Sequence, residues 1–311
     1  VSFFDPRLVL FSGKGGVGKT TVASGYALAA ARRGERTLLM ELNVRDRVSS
    51  YFGSREIGPE IVEVEENLHA VNVTPEAALE EYGMMLLRVK LIYRAVFENR
   101  IVRTFLQAVP GLDDLLMIGK AYFHATEEHS DGSPVWDKVV VDAPATGHGI
   151  FLLQIPSVIE SSLHSGHMYE KAREILDFLQ DPGASALHLV TLAEEMPVNE
   201  TLMLRDRARD RIGIPVGAAI INGLYPELFG PAEREWIEGT AGEYGGGDEE
   251  LNGMLEAARF RRQRIDMQRE YVGRLHDEMA GPFLEIPYFF EERITFPQIR
   301  AIAERFEEAD S

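Results

Sequence analysis

The sequence has no cysteine. That excludes disulfides and every thiolate metal site. No apolar run reaches the ~20 residues that a membrane-spanning helix needs, and no internal repeat points to a solenoid or propeller. The first residues lack a charged-then-apolar leader pattern, because the opening apolar stretch runs straight into a glycine loop, so a soluble cytoplasmic protein is expected. Positive charge is also scarce. Lys and Arg total 32 against 50 Asp and Glu, a net charge of -18. Such a surface repels a nucleic-acid backbone unless basic residues cluster on one face, and no nucleic-acid partner is expected.

What is present suits an α/β protein. The 311 residues are 45% hydrophobic, enough for one large α/β domain or two poorly separated ones. Short apolar runs read as buried strands at Leu8 to Phe11, Thr37 to Met40, Leu68 to Val73, Lys138 to Val141, Ala186 to Leu192, Val216 to Ile221 and Phe283 to Ile286. Amphipathic segments separate them, and this alternation predicts a mostly parallel sheet with helices on both faces.

Two helical stretches interrupt the alternation, at about 76–125 and 226–280. In the first, Met85, Val89, Ile92 and Val96 follow helical spacing, Met84, Leu87 and Leu91 widen the stripe, and Pro110-Gly111 breaks it. With Leu115 to Ile118 this stripe either packs onto the sheet or lines a groove for an apolar client. The second contains a glycine-rich loop from Gly239 to Asp248, followed by Arg259, Arg261, Arg262 and Arg264. Those arginines read as a solvated helix face or as a partner or nucleotide contact.

The chemistry concentrates after the first strand, in the run from Phe11 to Thr20, FSGKGGVGKT. Strand, glycine loop and helix in that order are the context a phosphate-binding loop requires. Gly13, Gly15, Gly16 and Gly18 let successive backbone N–H groups, with those of Lys14 and Val17, turn toward phosphates. The helix N-terminus adds partial positive charge. Lys19 is expected to reach the β- and γ-phosphates of ATP or ADP, Thr20 to ligate Mg²⁺, and Thr21 to complete the nucleotide set. A second strand, Val139 to Val141, ends in Asp142, placed to hold Mg²⁺ through water. The Pro-Ala-Thr-Gly turn after Ala143 is suited to sensing a γ-phosphate. His148 reads as a switch residue or a solvated loop histidine.

With GKGGVGKT at 13–20 and DAPATGH at 142–148, the sequence resembles the ArsA family of deviant Walker A P-loop ATPases. That family includes the arsenite-pump ATPase and the guided-entry ATPases that chaperone tail-anchored membrane proteins, and this chain looks like a bacterial-type member without cysteine. The likeness runs along nearly the whole chain, through FLLQIP at 151–156, EEMPVNET at 194–201, IINGLYP at 220–226, MQREY at 267–271 and IPYF at 286–289. It implies a single ATPase domain over 1–311 and a dimer in which Lys14 crosses to the partner's nucleotide. It further implies that Asn222 contacts adenine and that Pro287 and Tyr288 lie in the loop closing over the base.

Three departures qualify the likeness. The family's switch I reads Asp-Pro-Ala-His, whereas here Glu41 to Asp46 reads ELNVRD, with Asn43 at the aspartate position. An amide orients a water but cannot accept its proton. The expectation therefore divides between slow hydrolysis and catalysis by Asp46 or Glu41 after a register shift. Absent cysteine removes the arsenite-binding thiols, which disfavours an arsenite pump. The segment after Pro156 is short, without a Met-rich insertion. The leading expectation is an ATP-driven dimeric switch coupled to an apolar protein client or a membrane partner. The alternative is a weakly hydrolysing subunit in a heterodimer with an active paralogue.

Overall fold

The computed structural model describes residues 3–42, 44–87, 111–144, 146–239 and 249–310. Asn43, the apolar positions Val89, Leu91, Ile92 and Val96, and nearly all of the glycine-rich loop lie outside them.

Each predicted strand forms, most a residue or two longer than its apolar run. They are β1 (Leu8–Ser12), β2 (Thr37–Leu42), β4 (Leu68–Val73), β5 (Lys138–Asp142), β6 (Ser185–Leu192), β7 (Val216–Leu224) and β8 (Phe283–Pro287). An eighth, β3 (Val62–Glu65), pairs antiparallel with β4 at the sheet edge. Its alternating Val and Glu leave it half-exposed, so it carries none of the apolar signal that marks the buried strands. The sheet order is β3-β4-β2-β5-β1-β6-β7-β8, and every pair except β3·β4 is parallel. The chain winds outward from β1 toward β4, returns to insert β5 beside β1, and then winds the other way. The crevice at the C-terminal ends of β5 and β1 is the topological switch point, where open α/β sheets place ligands.

Alternation along the strands divides the core in two. Leu8, Leu10, Met40, Val139 and Val141 face one layer, built from α3 (Pro75–Leu87), α4 (Leu112–Thr126), α5 (Thr146–Ser162), α6 (His167–Gln180), α7 (Glu195–Arg207) and α9 (Glu249–Glu278). Val9, Phe11, Leu39, Val140 and Ile220 face the other, built from α1 (Lys19–Arg32), α2 (Val48–Phe52) and α10 (Phe296–Ala309). The remaining helix, α8 (Pro231–Gly239), lies beside α9. The helix α1 meets α10 closely at Gly25, where an added Cβ would lie 2.3 Å from Ile302 Cγ2. Among the described residues, no helix is long and apolar enough to cross a membrane.

The arginine cluster of α9 is half-buried and engaged within the chain rather than forming a freely solvated face. Arg261 donates to the Pro226 carbonyl (2.9 Å), Arg264 pairs with Glu194 (3.3 Å), and Arg262 pairs with Asp266 and Glu238. Gln268, buried one turn further on, accepts from the Tyr225 amide (2.9 Å) and donates to the Gly223 carbonyl (3.0 Å). Together they staple α9 to the ends of β6 and β7.

Candidate nucleotide site

The loop from Gly13 to Gly18 bridges β1 and α1, and two of its glycines have steric reasons to be there. Gly13 has φ +157°, and a Cβ on it would lie 2.1 Å from the Val190 carbonyl oxygen. Gly18 caps α1 at φ +90°, and a Cβ there would meet Asn222 Nδ2 at 2.3 Å. Left-handed backbone and close approach both favour residues without a side chain. Gly15 and Gly16 are exposed, while Val17 is anchored in the core beneath them.

Lys19 curls back over the loop, donating to the carbonyls of Gly13 and Lys14 at 3.1 Å each. Burial lowers its pKa, and the Asp142 carboxylate partly offsets that. Its ammonium thus stands over the concavity that the loop encloses. Thr20 donates its hydroxyl to Asp142 Oδ2 at 2.6 Å, so the two residues expected at Mg²⁺ are brought together across α1 and β5. Asp142 is 2% exposed, and its Oδ1 is buried without a hydrogen-bond partner. Burial pushes its pKa up to about 6 against the pull of Thr20 and Lys19. A magnesium ion fits this donor set, since it takes hydroxyl and carboxylate oxygens and keeps much of its water. Thr21 Oγ1 lies 3.1 Å from the Tyr51 hydroxyl on α2.

Other expected site residues have found intramolecular partners. Lys14 forms an ion pair with Glu200 on α7, both side chains about one-third exposed. Asn222 donates to the Val17 carbonyl (2.8 Å), bracing the phosphate loop from β7. Pro287 ends β8 opposite Leu224, and Tyr288 stacks on Tyr225 with ring centroids 4.9 Å apart. Phe290 packs edge-on against that pair, and the Arg261 guanidinium lies 4.9 Å from the Phe290 ring.

The switch I segment differs from its expected form. Glu41 and Leu42 are the last residues of β2. Asp46, expected as a possible catalytic acid, has both oxygens engaged. Oδ1 accepts from the Ser49 amide and Oδ2 from the Ile57 amide, each at 3.0 Å. Burial pushes its pKa up, but the hydrogen bonds from Ser49, Ile57 and the Glu41 side chain outweigh that and hold it below the usual value. It therefore ties together the turn into α2. Two contributors escaped sequence reading. Asn72 on β4 donates to the Val44 carbonyl (2.8 Å) and holds the chain just after β2. Its signal was a buried amide in an otherwise apolar strand. Glu200 had no signal tying it to a lysine 186 residues away.

Comparison with known proteins agrees with this architecture. ATPase BagA of Mycobacterium tuberculosis is 29% identical over 298 residues, spanning 90% of this chain and 87% of that protein. The arsenical pump-driving ATPases of Escherichia coli and Acidiphilium multivorum are 28% and 27% identical over 242 residues, spanning 71% of this chain but 40% of those proteins. A family model for anion-transporting ATPases of the ArsA type matches residues 6–167, the half that holds the phosphate loop, β2 and Asp142. The chain belongs to the ArsA family of ATPases.

Proposed function

We propose that this chain binds Mg²⁺ and ATP at the 13–20 loop and hydrolyses ATP as a dimeric switch, in which nucleotide state alters affinity for a protein or membrane client. The convergence of Lys19, Thr20 and Asp142 on one concavity carries the ATP part of this reading. In it, Lys19 neutralises the β- and γ-phosphates, and the loop amides hold them in line. Thr20 and Asp142 are the residues that would hold Mg²⁺, which supplies charge neutralisation at the bridging oxygens when bound.

Lys14 supports the dimer part. A partly exposed ion pair contributes little, ~0.2–1 kcal/mol, so Lys14 is readily released from Glu200 toward a second subunit's phosphates. Nucleotide shifts the equilibrium only as far as it binds the closed state better. Lys14→Ala is expected to retain nucleotide binding and lose ATP-dependent dimerisation, measured by light scattering. ATP-dependent dimers of that variant would refute the cross-subunit role.

A second reading has its own observation. With Asn43 in the aspartate position and Asp46 committed to two amides, switch I lacks an obvious acid for the attacking water. That favours a weakly hydrolysing subunit partnered by an active paralogue. Steady-state ATP hydrolysis separates the two readings, with Lys19→Ala as the blank and Asn43→Asp as the test. Wild type well above the blank supports the switch. Wild type at the blank, with activity gained by Asn43→Asp, supports the heterodimer. An arsenite pump is the weakest reading, given the absence of cysteine.

A further inference from the structure

One buried acid beside the phosphate loop braces the turn into α2, through the Arg47 and Val48 amides and the Asp46 side chain, and still keeps an oxygen with no donor on it. Glu41 is 1% exposed. Its Oε1 accepts from the Arg47 amide at 3.1 Å, while its Oε2 is buried without a hydrogen-bond partner. A neutral glutamine would serve Arg47 equally well, and burying a carboxylate with an unused oxygen is unfavourable.

Its position explains it. β2 and β5 are parallel neighbours, and Glu41 lies in register with Asp142, so the two residues sit on strands ~4.8 Å apart. Leu39 and Val140, two residues earlier on each strand, both face the layer of α1. By the two-residue period of a strand, Glu41 and Asp142 face the same way, toward the first turn of α1 with Lys19 and Thr20. Asp142 Oδ1, like Asn72 Oδ1 on the other neighbouring strand, is also a buried oxygen without a partner on this face. Burial first, then the nearby Asp46 and Asp142 carboxylates, push the Glu41 pKa up to about 8, against the Arg47 amide bond. The cations with a resolved influence on Asp142 are Lys19 and Arg47. Two facing carboxylates, each with an unused oxygen, form an acceptor set open to a hydrated divalent cation. Magnesium characteristically keeps several waters and is held by one or two carboxylates together with substrate phosphates.

Resting on the nucleotide-site reading above, we propose that Glu41 is a second carboxylate of the magnesium site, its Oε2 accepting from a water of the ion that Thr20 and Asp142 hold. Glu41 is then a positioning residue that acts through the metal's water shell. Asp46, which accepts from the Ser49 and Ile57 amides and shares a side-chain hydrogen bond with Glu41, braces that carboxyl from the turn into α2.

The test is a Mg²⁺ titration of the full chain with a fluorescent ATP analogue that is not hydrolysed. Wild type is compared with Glu41→Gln, Glu41→Asp and Asp142→Asn, and nucleotide affinity is measured again in EDTA. Glu41→Gln keeps the acceptor for the Arg47 amide and removes only the charge. It is expected to raise the Mg²⁺ concentration at half-saturation roughly 10–100-fold, the usual loss for an outer-shell ligand, and to leave the affinity in EDTA unchanged. Glu41→Asp, which retains the charge, should recover most of that loss, and Glu41→Ala serves in place of the glutamine variant should that one fail to fold. An unmoved Mg²⁺ requirement in Glu41→Gln overturns the proposal, as does a loss equally large in EDTA or in Glu41→Asp. A shift in Asp142→Asn alone removes Glu41 and leaves the nucleotide site standing. No shift in any variant removes the site reading as well.

Discussion

The two flanks of the phosphate loop are built in opposite ways. On the β2–β5 side, Glu41 and Asp142 are buried with oxygens left over. On the β6–β8 side, the oxygens and amides are paired: Asn222 on Val17, Gln268 on Tyr225 and Gly223, Arg261 on Pro226, and His188 Nδ1 accepting from the Ala218 amide at 3.0 Å, while His188 Nε2 and Arg261 Nε keep no partner. Buried polar groups are normally satisfied, because leaving one unpaired costs about 1–3 kcal/mol. The unpaired atoms of the β2–β5 flank are carboxylate and amide oxygens, suited to a cation, whereas those of His188 and Arg261 on the β6–β8 flank are nitrogens, and that flank serves as the wall of the site.

The largest effect should come from acidifying the wall. Burial holds His188 neutral, its pKa lowered from 6.5 to about 4. Between those values the unfolded chain carries a proton that the native one excludes, so stability falls as pH drops through that window. At 1.36 kcal/mol per pH unit the loss is about 3 kcal/mol. The raised carboxyl groups of Glu41 and Asp142 act in the opposite direction over the same range, so the His188 contribution is read as the difference between wild type and His188→Asn in denaturant melts from pH 7 to pH 4. Next, Lys19→Ala on the open side should weaken ATP binding by roughly 2–3 kcal/mol, the worth of a charged hydrogen bond, read by calorimetry without a comparable change in melting temperature. The smallest of the three is Gln268→Ala. Losing two hydrogen bonds should cost about 1–2 kcal/mol of stability and leave the intrinsic Mg²⁺ requirement for nucleotide unchanged. A changed requirement would show that the wall is part of the metal site and erase the distinction.

Legibility in sequence followed the same division. The phosphate loop, Thr20, Asp142 and seven strands could be read because each is a local pattern: a glycine spacing, an acid ending an apolar run, a buried strand's composition. β3 was missed because an edge strand with one wet face needs no apolar run. Asp46 looked like a candidate acid because sequence shows a carboxyl group but not the Ser49 and Ile57 amides that consume it. The arginines of α9 looked like a free basic face because their partners, Pro226, Glu194 and Glu238, lie on other elements. Lys14 stood out as unusual, yet Glu200 became its partner only through the fold.

Gly25 gives α1 a notch, and Ile302 is the tooth that fills it. Interlocked helices cannot slide past one another without unseating a side chain, so α1 and α10 are geared. The helix whose first turn faces phosphate is thereby coupled to one that carries no site residue. A displacement of α1 along its axis would therefore have to carry Ile302 and α10 with it.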